Sequence, residues 1–181
     1  MDSEWTQQYM RFDAFLEEYI LKECLVKAYL AQHRLFDQIP ELKKDIFIPD
    51  YCALGQELQL SDVQLNAWLG PSGTISPLHF DPYHNLLCQV VGCKYIRLYL
   101  PNTSDCLYPN DGMMFNTSKV IVEDMDQKRY PKFIKCNEYF ETILQPGQML
   151  YIPPNVWHYI RALDVSFSVR KKRKKVPGER I

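Results

Sequence analysis

The sequence of 181 residues has no stretch that is both long and apolar enough to cross a membrane. Its longest segment without Asp, Glu, Lys or Arg, residues 142–160, contains Pro146, Pro153 and Pro154, which break a spanning helix. Residues 1–10 are polar and lack the apolar core of a secretory signal. No Cys-x-x-Cys pair occurs among the six cysteines, unlike zinc knuckles and dithiol redox sites. We therefore expect a reduced, intracellular protein without membrane association.

Net charge is also low, at −1, but the total hides an asymmetry. Residues 170–181 hold seven basic residues and one acidic residue, and the remainder of the chain is acidic. An acidic body disfavours nucleic-acid binding, so only the basic tail is expected to contact phosphate. A run of like charges is not expected to pack as a buried strand end. We therefore predict a domain over residues 1–169 and a disordered basic tail over 170–181 that could direct nuclear localisation.

Composition and periodicity indicate a mainly β fold with helices near the N-terminus. An apolar stripe that includes Phe12, Phe15 and Tyr19 predicts a helix with Ser3 as N-cap and an end near Cys24. The later chain alternates short apolar runs with turn residues, which is typical of a sandwich or barrel. A single helical turn is expected at 35–39, and strands at 26–31, 63–68, 86–91, 94–100, 139–144, 148–152, 157–162 and 165–169.

Two histidines and an aspartate form the candidate metal site. His79 and Asp81 are two residues apart, so in a strand their side chains project to the same face. His158 lies much later, at the start of another predicted strand. Two histidines and one carboxylate make a facial triad, which leaves coordination positions open and suits non-haem Fe(II). We therefore predict that His79, Asp81 and His158 bind the metal and form the catalytic centre.

A lysine on the neighbouring predicted strand is the candidate counter-charge for a dicarboxylate co-substrate. Lys94 shares its strand parity with Ile96 and Leu98, which predicts that its side chain points inward. Hydroxyl donors beside it would complete an anion site. Ser76 and Tyr29 are the candidate donors.

These motifs together resemble the jumonji C (JmjC) family. The stretches that carry the resemblance are residues 73–82, Asn85, residues 94–99, Pro146-Gly147 and residues 152–158 with Trp157-His158. The resemblance implies a double-stranded β-helix (cupin or jelly-roll) fold that uses Fe(II), 2-oxoglutarate and O₂. It also implies an enzyme of the nucleus, with the cytoplasm as a second compartment, that hydroxylates a protein side chain, arginine in the first place, on a substrate such as a histone.

The same resemblance implies roles for further residues. Tyr29, Ser76, Asn85 and Lys94 would hold 2-oxoglutarate, and Trp68 and Trp5 would wall the substrate arginine. The family places a strand and a co-substrate loop before the first helix, and an aromatic terminus after the equivalent of Val169. This chain differs at both ends, so the domain is expected to be incomplete relative to the family.

Three functional alternatives are open at this point. The altered ends favour a catalytically impaired binding module, or truncated isoform, with the same fold. A metal-dependent histone peptidase would use the same ligands to activate water, although no His-Glu-x-x-His motif occurs. Demethylation of lysine is a further outcome under the same resemblance.

Overall fold

The computed structural model describes residues 6–23, 25–49, 52 and 63–174. Helix α1 covers Phe12–Phe15 and continues as a wider π-helical turn over Leu16–Ile20, and α2 covers Leu35–Gln38. Segments of 3₁₀ helix cover Pro40–Asp45, Pro101–Cys106, Gly112–Met114 and Phe133–Lys135. The strands are β1 (Leu30–His33), β2 (Gln64–Gly70), β3 (Ile75–His79), β4 (Tyr83–Val91), β5 (Lys94–Tyr99), β6 (Phe140–Leu144), β7 (Met149–Ile152), β8 (Trp157–Ala162) and β9 (Ser166–Lys174).

The strands form two antiparallel sheets. One has five strands in the order β1-β2-β9-β4-β7, and the other has four in the order β3-β8-β5-β6. The chain repeatedly crosses from one sheet to the other, as it does between β2, β3, β4 and β5. Such crossings set two sheets face to face, which is the arrangement of a jelly roll. The mainly β fold predicted from the sequence is therefore confirmed.

Buried apolar side chains separate into three clusters around the sheets. The first lies between the sheets, the second joins α2 to the outer face of the five-stranded sheet, and the third lies under the long segment after β5. Because these clusters lie on both sides of the central strands, those strands bury side chains in both directions, whereas the edge strands β6 and β7 leave side chains such as Phe140 and Met149 exposed. The clusters include Leu87, Ile96, Leu144 and Ile160 between the sheets, Leu35, Phe36, Ala67 and Val169 under α2, and Leu78, Tyr99, Leu107 and Trp157 under the segment after β5.

The N-terminal elements agree with the sequence prediction only in part. The helical structure over residues 12–20 follows the apolar stripe, while the expected ends at Ser3 and Cys24 lie outside the described residues. The strand predicted at 26–31 is wrong in its bounds, because β1 begins only at Leu30. Pairing decides its position, since Leu30 and His33 face β2. Every helix within the described residues is too short to traverse a bilayer.

A bulge in β3 decides which of its side chains enter the space between the sheets. Ser76 pairs with Ile160 and His79 with His158, so three steps along β3 oppose two along β8. Without the extra residue, strand parity would send Ser76 and His79 to opposite faces. The bulge instead lets both join the inner face, while Leu78 packs in the cluster beneath the segment after β5.

Strand β9 corrects the predicted end of the domain. The expectation of disorder from Arg170 is wrong for residues 170–174, because β9 continues to Lys174 between β2 and β4. Arg170 and Lys172 are buried on the inner face, and Lys171 reaches the opposite side, where its Nζ donates to the Phe47 carbonyl oxygen. Paired backbone on both sides and a carboxylate inside the barrel, that of Asp81, make this burial possible.

Glycine 92 provides a direct test of the packing between β4 and β5. Its φ is +67°, and an added Cβ would lie 2.2 Å from the Val165 carbonyl oxygen. Gly147 has a similar φ of +83° but open space around the Cβ position. We expect Gly147→Ala to cost about 1 kcal/mol from backbone strain alone, and Gly92→Ala clearly more than about 2 kcal/mol because a backbone collision is added. Urea unfolding of both variants measures the difference, and equal losses would contradict the described turn.

Candidate metal centre

Three side chains converge at one end of the space between the sheets. His79 is the last residue of β3, Asp81 follows the strand, and His158 is the second residue of β8. One potential ligand atom from each lies within 4.8 Å of the others. His158 Nε2 is 3.9 Å from Asp81 Oδ2, and the two imidazole centroids are 4.2 Å apart. The structure therefore brings together the residues that the sequence proposed as a triad.

Asp81 reaches this position by a different route from the predicted one. The strand ends at His79, so Asp81 does not share a pleat with it, and the expectation of a continuous strand is wrong here. Backbone hydrogen bonds fix the turn instead: Phe80 N–H donates to the Asn116 carbonyl at 2.9 Å, and Asn155 N–H to the Asp81 carbonyl at 2.8 Å. The loop before β8 thus holds Asp81 opposite His158.

Backbone carbonyls set the tautomers of both histidines. His79 Nδ1 lies 2.7 Å from the Pro77 carbonyl oxygen, and His158 Nδ1 lies 3.0 Å from the Val156 carbonyl oxygen. Because a carbonyl only accepts hydrogen bonds, each Nδ1 carries the proton and each Nε2 keeps its lone pair. This is the second-shell arrangement found around metal-bound histidines.

The orphaned nitrogen of His158 is the strongest sign of a missing ligand. His158 is fully buried, and its Nε2 has no hydrogen-bond partner among the described residues. An unsatisfied buried acceptor costs free energy unless something binds it. Burial lowers the pKa of both His79 and His158, so both imidazoles are neutral and ready to ligate near neutral pH. The donor set fits a divalent metal.

Three of the four predicted co-substrate residues meet deeper between the sheets. Lys94 is 1% exposed, and its Nζ donates to the Tyr29 hydroxyl oxygen at 3.3 Å. Ser76 is buried, and its hydroxyl lies close enough to the Tyr29 side chain to counteract the rise in the pKa of Tyr29. A cation and two hydroxyls in a dry site form a receptor for a carboxylate.

Burial alters the acid–base properties of this group. Burial, with the Arg170 cation as a second cause, lowers the pKa of Lys94 to about 7. Burial raises the pKa of Tyr29 to about 12, although Ser76 and Arg170 act in the opposite direction. Lys94 therefore gains from an anionic partner, whereas Tyr29 stays a neutral hydroxyl.

Asn85 lies beside the triad in this structure. Its Nδ2 donates to Asp81 Oδ2 at 3.2 Å, and its buried Oδ1 has no hydrogen-bond partner within the described part of the chain. Asn85 thus orients the carboxylate that we assign to the metal.

Of the two predicted substrate residues, Trp68 lies within the described part of the chain. Trp68 is buried on the inner face of β2, where its ring lies 5.7 Å from that of Tyr29. Its other neighbour is the Arg170 guanidinium, 5.0 Å from the ring centroid. Trp5 lies outside the described residues.

Two cations at the centre of the site, Arg170 and Lys172, were not predicted from the sequence. Arg170 Nη2 is 2.8 Å from Asp81 Oδ2, and Lys172 Nζ is 3.7 Å from the same oxygen. Burial alone would raise the pKa of the Asp81 carboxyl, but these cations outweigh it and hold that pKa below its usual value. Strand parity was the available signal, since Ser168, Arg170 and Lys172 are spaced by two residues.

Comparison with known proteins places the chain in a family. Residues 2–171 match the Cupin-like domain family. Lysine-specific demethylase 8 of Xenopus tropicalis is 53% identical over 169 residues, which cover 93% of this chain and 38% of that protein. For JmjC domain-containing protein D of Dictyostelium discoideum the identity is 45% over 178 residues, 90% of this chain and 40% of that protein. The chain belongs to the JmjC family of cupin-like domains.

The family explains the donor set. Jumonji C domain-containing protein 5 of Drosophila melanogaster is 47% identical over 171 residues, covering 92% of this chain and 42% of that protein. This chain spans about two fifths of the length of these JmjC relatives. JmjC proteins use Fe(II) and 2-oxoglutarate, and two histidines with one carboxylate are ligands that suit non-haem Fe(II). The expected family and cupin fold are confirmed.

Metal-dependent stability tests the three proposed ligands. We expect Mn(II), a redox-stable substitute for Fe(II), to raise the melting temperature of the protein, because a ligand that binds only the folded state adds about 2.7 kcal/mol at a hundred times its Kd. His158→Ala removes one ligand and should abolish this stabilisation. His33→Ala is the matched control, because His33 lies on β1 at the edge of the five-stranded sheet. This variant should keep the stabilisation by Mn(II). Equal stabilisation of both variants would refute the site.

Lys94 gives the folded protein a specific pH dependence. Its pKa is about 7 when folded, against an ordinary value of 10.5. Between these values the unfolded chain binds more protons, so the free energy of unfolding rises with pH and the full penalty of the buried cation is present below 7. Relative to Lys94→Met, the wild type should therefore gain stability from pH 7 to 10, by at most about 1.4 kcal/mol per pH unit.

Urea unfolding of both proteins at several pH values measures this difference. Lys44→Met, in the exposed turn after α2, is the control for loss of a lysine. Parallel curves for the wild type and Lys94→Met would mean that Lys94 does not have the described environment.

Proposed function

We propose that this chain is the oxygenase domain of an Fe(II)- and 2-oxoglutarate-dependent dioxygenase that hydroxylates a protein side chain. The observation that carries the proposal is the convergence of His79, Asp81 and His158 with both Nε2 lone pairs left free. A buried lysine with two hydroxyls lies deeper in the same space, as a dicarboxylate co-substrate requires.

The residues divide the work between metal and co-substrate. His79, Asp81 and His158 would hold the iron, while Lys94, Tyr29 and Ser76 would hold the far carboxylate of 2-oxoglutarate. When bound, Fe(II) and 2-oxoglutarate activate O₂: the co-substrate becomes succinate and CO₂, and one oxygen atom is inserted into a substrate C–H bond.

The chain itself supplies orientation and a dry environment. Carboxylate binding would stabilise the cationic form of Lys94 and so reverse the effect of burial on its pKa. Asn85 would orient Asp81 through the existing hydrogen bond. The apolar cluster with Ile96 and Ile160 excludes water from the co-substrate end, which strengthens these electrostatic contacts.

For the substrate we propose an arginine side chain of a nuclear protein such as a histone. Trp68, with Trp5, would wall the guanidinium, and the Trp68 ring already packs against the guanidinium of Arg170. A relative named Lysine-specific demethylase 8 supports a protein substrate and makes methyl-lysine the other substrate to test.

A second candidate function, a binding module with impaired catalysis, is supported by a separate contact in the site. The ion pair between Arg170 and Asp81 places a cation at the carboxylate that the metal needs. This contact favours a binding module of the same fold with impaired catalysis. A metal-dependent peptidase that uses the same ligands is the remaining alternative, and its product would be a cleaved peptide.

Product analysis separates these functions. The protein is incubated with Fe(II), 2-oxoglutarate and an arginine-containing histone peptide, or its methyl-lysine counterpart, and succinate and peptide mass are measured. We expect succinate release coupled to the gain of one oxygen atom on the arginine peptide. His79→Ala should abolish both, and His33→Ala should not.

Each alternative has its own result. Succinate with loss of a methyl group indicates demethylation, and a shortened peptide formed without 2-oxoglutarate indicates a peptidase. Turnover no greater than that of His79→Ala would leave the binding module as the function. Activity retained in His79→Ala would refute the metal assignment.

A further inference from the structure

The inner face of β9 carries two cations that point at one metal-ligand candidate. Arg170 Nη2 and Lys172 Nζ lie 2.8 and 3.7 Å from Asp81 Oδ2. The same oxygen accepts from Asn85 Nδ2 and faces His158 Nε2 at 3.9 Å. Asp81 Oδ2 therefore lies close to Arg170, Lys172 and Asn85 and also faces the candidate metal site.

The position of Arg170 is fixed by the fold. Its strand pairs with β2 through Asn66 and with β4 through Leu87, so the backbone is held on both sides. The residue is 2% exposed, and neither its Nε nor its Nη2 makes a hydrogen bond within the described residues. A buried guanidinium with so few hydrogen bonds depends on its counter-ion, and in this site that is Asp81.

A metal ion and these cations make opposite demands on Asp81. Arg170 and Lys172 both approach Asp81 Oδ2, the oxygen that also faces His158 Nε2. A divalent ion bound at that oxygen would lie beside the two cations and be repelled by them. In a site of low dielectric such repulsion is much stronger than in water. Arg170 also faces Trp68, which offers the guanidinium a second surface when Asp81 is taken.

We propose that Arg170, assisted by Lys172, sets the metal affinity of this site by competing with the metal ion for Asp81. The inference rests on the proposed metal ligands and goes beyond them, because it assigns to two side chains of β9 the role of weakening metal binding. Metal binding and the Arg170–Asp81 ion pair compete for one carboxylate, so each weakens the other by the same factor.

The test measures Mn(II) dissociation constants directly, from the electron paramagnetic resonance signal of the free ion, in the absence of substrate. We expect Arg170→Met to bind Mn(II) about tenfold or more tightly than the wild type, because one repelling charge is lost. Lys172→Met should give a smaller gain, since Lys172 Nζ lies farther from Asp81.

Two variants serve as matched controls. Lys171→Met removes the same charge from the same strand, but Lys171 reaches the opposite face to donate to the Phe47 carbonyl. Arg170→Lys keeps the charge and the fold-compatible length of the side chain. Both should bind Mn(II) with nearly the affinity of the wild type.

The outcomes separate this inference from the proposed function. Equal affinities for the wild type, Arg170→Met and Lys172→Met overturn the inference alone and leave the metal ligands in place. Absence of Mn(II) binding in all of them overturns both. If Arg170→Met does not fold by circular dichroism, Lys172→Met against Lys171→Met decides: tighter binding only in the former supports the competition, and equal binding overturns it.

Discussion

The carboxylate of Asp81 is the group on which the rest of the site depends. It lies in the turn after β3, which backbone hydrogen bonds join to the loop before β8 and to the segment after β5, and it faces two imidazoles whose tautomers are set by backbone carbonyls. The same carboxylate compensates the cations of Arg170 and Lys172 and so permits β9 to run through the centre of its sheet. Fold stability and metal binding are therefore linked through one negative charge.

Parts of this arrangement could be predicted because they depend on local patterns. Strand β8 follows its predicted bounds, and the parity of Lys94 with Ile96 and Leu98 anticipated its burial. Strand alternation is set by the pleat of the backbone, so it holds wherever no bulge interrupts the strand. The residue types of the triad were equally informative, because few combinations other than two histidines and a carboxylate suit an open iron site.

Other features depend on contacts between distant segments, and the sequence alone does not predict them. The bulge that brings Ser76 and His79 to one face arises from pairing with β8, and parity alone would have separated them. The basic run after Val169 predicts side chains exposed to solvent. In the structure its first residues are buried, because β9 pairs with strands on both sides and Asp81 supplies a counter-ion. A counter-ion far along the chain thus overrides local polarity.

The position of a bound metal ion tests the proposed site most directly. A crystal soaked with Mn(II) and measured near the manganese absorption edge should show one anomalous peak within coordination distance of His79 Nε2, His158 Nε2 and an Asp81 carboxylate oxygen, with the Arg170 guanidinium moved away from that oxygen. A peak elsewhere, or a bound ion with Arg170 still paired to Asp81, would contradict it.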